Sequence, residues 1–202
     1  MPLEQAEFHE SWGLAGFSVI AYIAEMIVWV NGTFGAGKTT TAARLAEMWK
    51  GSRRFDPEQV GYALGNNLKD IPFSDFQDLP PWRPLVVENL DRISAFTGQD
   101  IIAIQTVLRE DYWNEISSGL NARGHRVFHV LLECSDSLLT DRINNDQIEV
   151  GAREWRLAHI ADYQRARPWM LESADLVIDT GSRTPEQVAR QILNSIVTSN
   201  GA

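Results

Sequence analysis

Residues 26–40 read MIVWVNGTFGAGKTT, and this stretch decides the fold. Met26–Asn31 is an apolar, β-branched run typical of a buried strand, and residues 32–39 match the phosphate-loop pattern GxxxxGK(S/T) at every required position. The Ala- and Leu-rich residues 40–49 then predict a helix. A strand, a glycine-rich loop and a helix in this order form the context in which the pattern binds nucleotide phosphates, which makes a chance glycine turn a rare alternative.

The loop residues predict a nucleoside triphosphate site. Gly32, Gly35 and Gly37 allow backbone N–H groups to turn towards a polyphosphate, and the N-terminus of the following helix adds a favourable dipole. We expect Lys38 to reach the β- and γ-phosphates as a catalytic residue. Thr39 is expected to offer its hydroxyl to Mg²⁺ as the metal ligand.

Composition narrows the class of protein. The chain has 202 residues, 44% of them hydrophobic and 22% charged, which suits one α/β domain with a good core. A net charge of −9 argues against a nucleic-acid surface, so we expect a small-molecule partner. The single cysteine, Cys134, excludes an internal disulfide and fits a reducing compartment, which predicts a cytoplasmic protein.

The first residues carry an apolar stretch. Residues 12–30 contain only Glu25 as a charge and have the length of a membrane span. However, the second half must form the strand before the phosphate loop, and residues 1–24 lack the basic region of a signal peptide. We therefore expect no stable membrane insertion. We predict that residues 1–25 are an N-terminal extension or an artefact of the start site, with an added helix as the alternative, and that residues 26–202 form the catalytic domain.

Strands and helices alternate along the rest of the chain. Strands are predicted at 53–56, 101–105, 127–132 and 176–178, and helices at 58–66, 82–96, 112–122, 135–143 and 184–197, the last one with a capping box. The fold class is therefore α/β, a P-loop NTPase fold with a parallel five-stranded sheet sandwiched by helices. The polar residues up to 156 are expected to form a short lid over the carboxyl edge of the sheet, where the ligand should bind.

The strand ends separate the classes of P-loop protein. Motors and switches end a strand with a Mg²⁺-holding aspartate, but here one strand ends at Gln105 and another at Glu133. We assign Gln105 to the substrate. Asp56, at the end of the second strand, is expected to accept a proton from a substrate hydroxyl; a turn aspartate before Pro57 is the alternative.

Basic residues follow the fourth strand. Arg142, Arg153 and Arg156 lie where a lid would bring guanidinium groups onto a phosphoryl group, and we assign Arg153 and Arg156 to catalysis. A solvated helix face is an alternative of nearly equal weight for each of them. The histidines show no metal-ligand spacing and are expected to be structural or surface residues.

With these residues in place, the chain resembles the tunicamycin-resistance ATP-binding proteins, a P-loop family close to chloramphenicol phosphotransferases and shikimate kinases. The resemblance covers roughly residues 26–197. Besides the phosphate loop, it rests on FDPEQVGYAL (55–64), DFQDLPPWR (75–83), DYWNEI (111–116) and DTGSRTPEQVA (179–189). The family's longer C-terminal tail, linked to membrane association, has no counterpart after the last predicted helix, so we expect no membrane attachment.

The resemblance implies ATP, with Mg²⁺, as the nucleotide. It places Asp56 on the acceptor side, substrate or phosphate contacts near Trp82 and Arg83, and a nucleotide contact at Arg142. It also assigns ATP binding to the whole loop, namely Gly32, Thr33, Phe34, Gly35, Ala36, Gly37, Lys38, Thr39 and Thr40.

Three functions remain open at this point. The first is an ATP- and Mg²⁺-dependent phosphotransferase acting on a hydroxyl of a nucleoside antibiotic of the tunicamycin type, which would confer resistance. The second is an ATP-binding protein that sequesters the antibiotic without chemistry. The third is a metabolic kinase for a sugar or a shikimate-like acid.

Overall fold

The computed structural model describes residues 25–148 and 150–199. Five parallel strands form one sheet in the order β2-β3-β1-β4-β5. They are β1 Met26–Asn31, β2 Ser52–Phe55, β3 Asp100–Ile104, β4 Arg126–Glu133 and β5 Leu176–Asp179. The predicted α/β P-loop fold with a five-stranded parallel sheet is confirmed. The predicted extension lies outside the described residues except for Glu25, and its role stays a prediction.

Seven α-helices connect the strands within the described residues. They are α1 Lys38–Met48, α2 Glu58–Asn67, α3 Trp82–Thr97, α4 Glu110–Asn121, α5 Asp136–Asn145, α6 Arg153–Ser173 and α7 Pro185–Ser199. Two short 3₁₀ turns, Phe76–Asp78 and Val150–Ala152, precede α3 and α6. None of these helices is long and apolar enough to cross a membrane.

The central strand positions the site. All six residues of β1 are buried, because helices cover both faces of the sheet and β3 and β4 flank its edges. The chain leaves β1 to build β2 and β3 on one side and returns to build β4 and β5 on the other. The phosphate loop therefore leaves the sheet at its topological switch point, where ligands bind in open α/β folds.

Two apolar layers hold the sheet. On one face α1 and α7 pack together over β1 and β4, with Leu45 and Ile192 fully buried. On the other face α3 and α4 cover β1 and β3, where Trp29 meets Trp113 edge-on with ring centroids 5.6 Å apart. Aromatic pairs of this kind stabilise the core beyond their buried area.

Helix ends agree with the predicted caps. The Thr184 hydroxyl accepts a hydrogen bond from the Gln187 N–H at 3.2 Å, and the Gln187 side chain accepts one from the Thr184 N–H at 2.8 Å. This is the reciprocal capping box predicted for α7. Ser135 caps α5 by accepting from the Leu138 N–H.

The helix α6 is the largest difference from the predicted elements. Its 21 residues include Pro168, and no helix was predicted between residues 143 and 184. Between its ends the buried side chains are only Arg156, Tyr163, Ala166 and Met170, because α6 presents a narrow stripe to β4 and is polar elsewhere. The segment expected to act as a lid is thus a connection of a few residues that ends in the first turn of a long helix.

Candidate active site

The phosphate loop has the backbone of an anion cradle. Gly32, Gly35 and Gly37 have φ angles of 136°, 80° and 94°, which residues with a Cβ rarely adopt. A Cβ on Gly32 would lie 2.5 Å from the Leu132 carbonyl oxygen, so β4 also leaves no space for one. No side chain caps α1 at Gly37, which leaves the first N–H groups of α1 for a ligand.

Side chains fasten this loop to the ends of neighbouring strands. The Asn31 Oδ1 accepts from the N–H groups of Gly32 at 2.8 Å and Val107 at 3.0 Å. The Thr106 hydroxyl donates to the Gly32 carbonyl at 2.8 Å. These hydrogen bonds fasten the start of the phosphate loop to residues 106 and 107, which follow β3.

Lys38 folds back over the loop. Its Nζ donates to the Thr33 carbonyl at 3.0 Å and lies 5.4 Å from the centroid of the Phe34 ring. Thr39 and Thr40 follow on the exposed side of the first turn of α1. Six loop residues, Phe34, Gly35, Gly37, Lys38, Thr39 and Thr40, line one cavity, and ATP binding by the loop stays a prediction.

A cavity of about 940 Å³ opens in front of the loop; we call it the phosphate cavity. Lys38, Thr39 and Asp56 all line it, so the structure brings the predicted lysine, metal ligand and base together. Its other lining residues include Arg54, Glu58, Gln105, Thr106, Arg142, Asp146 and Arg156.

The Asp56 carboxylate also accepts hydrogen bonds at the start of α2. Its Oδ1 accepts from the Glu58 N–H at 3.0 Å, and its Oδ2 accepts from the Gln59 side chain at 3.3 Å. The turn role and the position in the cavity therefore coexist, since the carboxylate that begins α2 is exposed to the phosphate cavity.

Arg142 ties the loop to the end of β5. One of its nitrogens, Nη1, donates to the carbonyl of Gly35 and to the hydroxyl of Thr180, both at 3.1 Å, and Nη2 donates to the Thr180 carbonyl at 2.9 Å. A smaller cavity of about 230 Å³ continues from Gly37 past Arg142 to Arg183. Sequence reasoning missed Thr180 and Arg183, although both lie in the DTGSRT segment.

The two arginines assigned to catalysis are separated. Arg156 lines the phosphate cavity, and its Nη1 donates to the Asp146 carboxylate at 2.6 Å. Its guanidinium carbon lies 5.8 Å from the centroid of the Phe34 ring. Arg153 lines neither the phosphate cavity nor the cleft described below. A direct catalytic role for Arg153 therefore has no support from the lining of either cavity and stays a prediction.

The expected substrate contact of Trp82 is wrong. Its ring is fully buried between α2 and α3, 5.5 Å from Phe76, and its Nε1 donates to the Pro57 carbonyl at 3.2 Å. The indole therefore has no surface to offer a ligand and instead holds the start of α2 against the core.

Arg83 acts on the wall of the site rather than on a ligand. Its guanidinium donates to the Gln77 carbonyl and to Glu115, both at 2.6 Å, and lies 4.1 Å from the centroid of Tyr112. Arg83 lines neither cavity, so its expected direct contact is corrected as well. Its structural effect is to fix Gln77 and Tyr112.

A second, larger cavity of about 1100 Å³ adjoins the first; we call it the aromatic cleft. Phe34, Glu58, Gln105 and Thr106 line both cavities and form their junction. Gln105 is almost fully buried there, and its Oε1 finds no hydrogen-bond partner among the described residues. The aromatic residues of the cleft, which sequence reasoning missed, are Tyr62, Phe73, Phe76, Tyr112, Trp155, His159 and Trp169.

The loop and α6 meet through rings at the edge of this cleft. The Phe34 ring lies 4.9 Å from Trp155 and 5.6 Å from His159, and those two rings are 3.9 Å apart. These contacts place the first two turns of α6 directly over the phosphate loop.

The carboxylates of Asp75 and Asp78 line the aromatic cleft. Burial raises the pKa of Asp75, and the nearby Asp78 carboxylate raises it further; the Gln77 N–H and His159 act in the opposite direction. Asp78 accepts a hydrogen bond from the Tyr112 hydroxyl at 2.9 Å. Among the described residues, no cluster of three or more His, Cys, Asp or Glu could hold a metal ion.

His129 lies behind the site. It stacks on Trp113 with centroids 4.1 Å apart, and its nitrogens lie 3.3 Å from the Asn31 amide and 3.2 Å from the Ser173 hydroxyl. Burial lowers its pKa from 6.5 to about 4, so the neutral ring is the folded form. The predicted structural role of this histidine is confirmed.

Comparison with known proteins identifies the family. The chain superimposes on the tunicamycin resistance protein of Deinococcus radiodurans with a TM-score of 0.66 and 31% identity, covering 85% of this chain and 95% of that one. This chain belongs to the tunicamycin-resistance family. No family model and no curated protein matches it.

More distant structures share the fold of this family. An unliganded sugar kinase from Janibacter sp. HTCC2649 has a TM-score of 0.60 and 21% identity over 85% of this chain and 94% of that one. A shikimate kinase from Acinetobacter baumannii, solved with shikimate, has a TM-score of 0.60 and 19% identity over 89% and 97%. All segments that carried the resemblance to the tunicamycin-resistance family contribute residues to the cavities or to the side chains that support them.

Proposed function

We propose that this protein is an ATP- and Mg²⁺-dependent phosphotransferase that modifies a hydroxyl of a small molecule, namely a nucleoside antibiotic of the tunicamycin type. The observation that carries the proposal is the junction of the two cavities. Lys38, Thr39 and Asp56 line the first one, and it opens into the aromatic cleft past Phe34 and Gln105. A phosphate donor and an acceptor can therefore occupy adjoining spaces, with the Asp56 carboxylate lining the space of the donor.

The loop residues fit a nucleoside triphosphate. The positive-φ glycine backbone, the start of α1 without a side-chain cap, and the Lys38 ammonium supply positive groups for an anion. ATP would supply the transferable phosphoryl group there, and Mg²⁺ beside the Thr39 hydroxyl would neutralise part of its charge. Arg142 and Arg183, which line the smaller cavity beyond Gly37, would hold the nucleoside end.

Asp56 and Arg156 supply the remaining chemistry. Asp56 would accept the proton of the acceptor hydroxyl while the oxygen of that hydroxyl bonds to the terminal phosphorus of ATP and ADP leaves. Asp56 would then return the proton to solvent. Arg156, fixed by Asp146 at 2.6 Å, would stabilise the negative charge on the phosphoryl oxygens during transfer. The single half-buried cysteine supports our proposal of a cytoplasmic location.

Mass spectrometry of tunicamycin incubated with protein, Mg²⁺ and ATP tests this function. We expect the antibiotic to gain one phosphate with the wild-type protein and none with Lys38→Ala, which removes the phosphate-binding ammonium from an otherwise intact loop. Shikimate and gluconate serve as acceptors for comparison. ATP-dependent binding of tunicamycin in calorimetry without any mass gain would favour sequestration, and rapid phosphorylation of a comparison acceptor alone would favour a metabolic kinase.

A further inference from the structure

The two neighbouring cavities differ in charge. The phosphate cavity is lined by four cationic side chains, Lys38, Arg54, Arg142 and Arg156, and by three carboxylates, Asp56, Glu58 and Asp146. The aromatic cleft is lined by six carboxylates, Glu58, Asp75, Asp78, Glu110, Asp111 and Asp162. Across the described part of the chain, the guanidinium groups that line this cleft belong to Arg109 and Arg165.

Both guanidinium groups already have carboxylate partners. Arg109 Nη2 lies 2.6 Å from Asp111, and Arg165 pairs with Asp162 near the middle of α6. Arg109 also stacks on the Tyr112 ring at 4.2 Å. The cleft is therefore negative overall, since these pairs cancel within themselves.

Asp75 and Asp78 concentrate the negative charge on one wall. They lie at the two ends of the 3₁₀ turn, where the Asp75 Oδ1 accepts from the Gln77 N–H at 2.9 Å and Asp78 accepts from the Tyr112 hydroxyl. Neither carboxylate has an ion pair in the described residues. Burial, and to a smaller extent the neighbouring Asp78 carboxylate, raises the pKa of Asp75, as expected for a carboxylate in a partly desolvated wall next to a like charge.

The remaining surface of the cleft is apolar. Tyr62, Phe73 and Trp155 are 55%, 40% and 46% exposed, although large aromatic side chains are usually buried. All three line the cleft, so their exposed rings surround one volume. Such a concentration of exposed rings is typical of a site for a planar or hydrocarbon ligand face.

We propose that the aromatic cleft binds the acceptor through a ring or hydrocarbon face and selects acceptors that are uncharged or positively charged, with Asp75 and Asp78 as the residues that exclude anions. The identity of the cleft's ligand as the acceptor rests on the proposed function, but the charge selection is a property of the cleft itself. An acid such as shikimate would meet like charges at the wall, whereas a neutral nucleoside or an amine would not.

Three indole compounds test the selection without nucleotide or catalysis. Tryptophol, tryptamine and indole-3-acetate carry the same ring with a hydroxyl, an ammonium or a carboxylate. Binding to the full-length protein is measured by ligand-observed NMR titration at pH 8. We expect tryptophol and tryptamine to bind about tenfold or more tightly than indole-3-acetate. Equal binding of the acetate, or no binding of any of the three, would overturn the proposal.

Two isosteric variants test whether Asp75 and Asp78 are the residues that exclude anions. Asp75→Asn and Asp78→Asn keep an oxygen that can accept the Gln77 N–H or the Tyr112 hydroxyl, so the turn should stay folded. Each should raise the affinity for indole-3-acetate about fivefold and change that for tryptophol less than twofold. The control Glu88→Gln removes one carboxylate that lines neither cavity and should change none of the affinities.

A ring variant separates the cleft from other surfaces. Phe73→Ala should weaken all three compounds by a similar factor, because it removes ring contact without changing charge. Unchanged affinities in Phe73→Ala together with unchanged affinities in both asparagine variants would place the indoles elsewhere and end the proposal. Since no transfer is measured, a failed phosphorylation of tunicamycin would leave these results unaffected.

Discussion

At the scale of single residues, Asp56 has two contacts that an asparagine can keep in part. Its carboxylate accepts from the Glu58 N–H and from the Gln59 side chain while it lines the phosphate cavity. We predict that Asp56→Asn leaves ATP affinity nearly unchanged and lowers phosphoryl transfer by about two to four powers of ten, because only the base is lost. Nucleotide calorimetry and single-turnover kinetics on the same variant measure both.

Two other outcomes would assign Asp56 differently. Weaker Mg·ATP binding in Asp56→Asn would mean that the carboxylate mainly holds the metal. A transfer rate within a few-fold of wild type would leave Asp56 only as the residue that begins α2. Asp70→Asn is the matched control, since it neutralises an exposed aspartate that lines neither cavity and should keep the transfer rate near wild type.

His129 gives a pH prediction at the same scale. Its pKa is about 4 in the folded protein against 6.5 ordinarily, so the unfolded chain binds more protons between these values. The free energy of unfolding should therefore fall as pH drops through this window, with His129 contributing about 2 kcal/mol of the loss between pH 7 and pH 5. Urea denaturation at several pH values measures the slope.

Replacement of the histidine isolates its share of that slope. His129→Gln removes the titrating group and should flatten the profile between pH 7 and pH 5, although it also lowers stability at pH 7 through lost packing on Trp113. A matched His159→Gln variant leaves His129 in place and should keep the wild-type slope. An unchanged slope in His129→Gln would show that the buried ring is not the proton-linked group.

At the scale of elements, α6 meets the phosphate loop through the rings of Phe34, Trp155 and His159. The contact lies beside the junction of the two cavities, because Phe34 lines both of them. We predict that Trp155→Ala lowers transfer to the acceptor about tenfold and raises the ratio of ATP hydrolysis to transfer, because the first turns of α6 lose their attachment to the loop. Parallel assays of ADP and phosphorylated acceptor give the ratio.

The chain offers a control for loss of an aromatic side chain. Phe96 on α3 is 90% exposed and lines neither cavity, so Phe96→Ala should leave the ratio at its wild-type value. A Trp155→Ala protein with an unchanged ratio and normal affinity for ATP would show that the contact between α6 and the loop has no part in excluding water.

At the scale of the whole molecule, the boundary at Met26 is open to test. The Glu25 carbonyl accepts from the Arg126 N–H at 3.3 Å, the Ser94 hydroxyl donates to its carboxylate, and the Met26 N–H donates to Asp100 at 2.7 Å. A chain that begins at Met26 loses the first two contacts, while its new ammonium faces Asp100. We predict a loss of at most about 1 kcal/mol in unfolding free energy and transfer within about twofold of the full chain.

Chemical denaturation and turnover of the two chain lengths decide this point. A chain that begins at Glu25 is the control, because it keeps every described contact of that residue. If the chain from Met26 is insoluble or loses several kcal/mol while the chain from Glu25 does not, Glu25 belongs to the structural core. If both fail, residues before Glu25 support the domain.

Local patterns explain why much of the molecule was predictable. The phosphate loop needs glycine at Gly32, Gly35 and Gly37 because its φ angles are positive, and that requirement is visible in the sequence. The strands β1, β3 and β4 followed from largely apolar runs, because both faces of a parallel sheet are covered. The capping box of α7 followed from the spacing of Thr184 and Gln187, since its bonds close within three residues.

Residue roles were less predictable where they depend on partners far along the chain. Trp82 and Arg83 were expected at a ligand, but the indole is held by Pro57 and the guanidinium by Gln77 and Glu115. Arg153 and Arg156 could not be distinguished by composition, because only the packing of α6 on the loop decides which one reaches the cavity. The helix α6 itself escaped detection because its buried stripe is narrow and its sequence is largely polar.

The sequence by itself therefore determined the phosphate loop, the parallel α/β fold and the position of Asp56 at a strand end, because each depends on short-range backbone requirements. Only the tertiary structure decided the aromatic cleft. Its rings and carboxylates come from α2, the turn Phe76–Asp78, α4 and α6, which are up to about a hundred residues apart. Such a surface has no local pattern, since it exists only after the sheet has brought those elements to one edge.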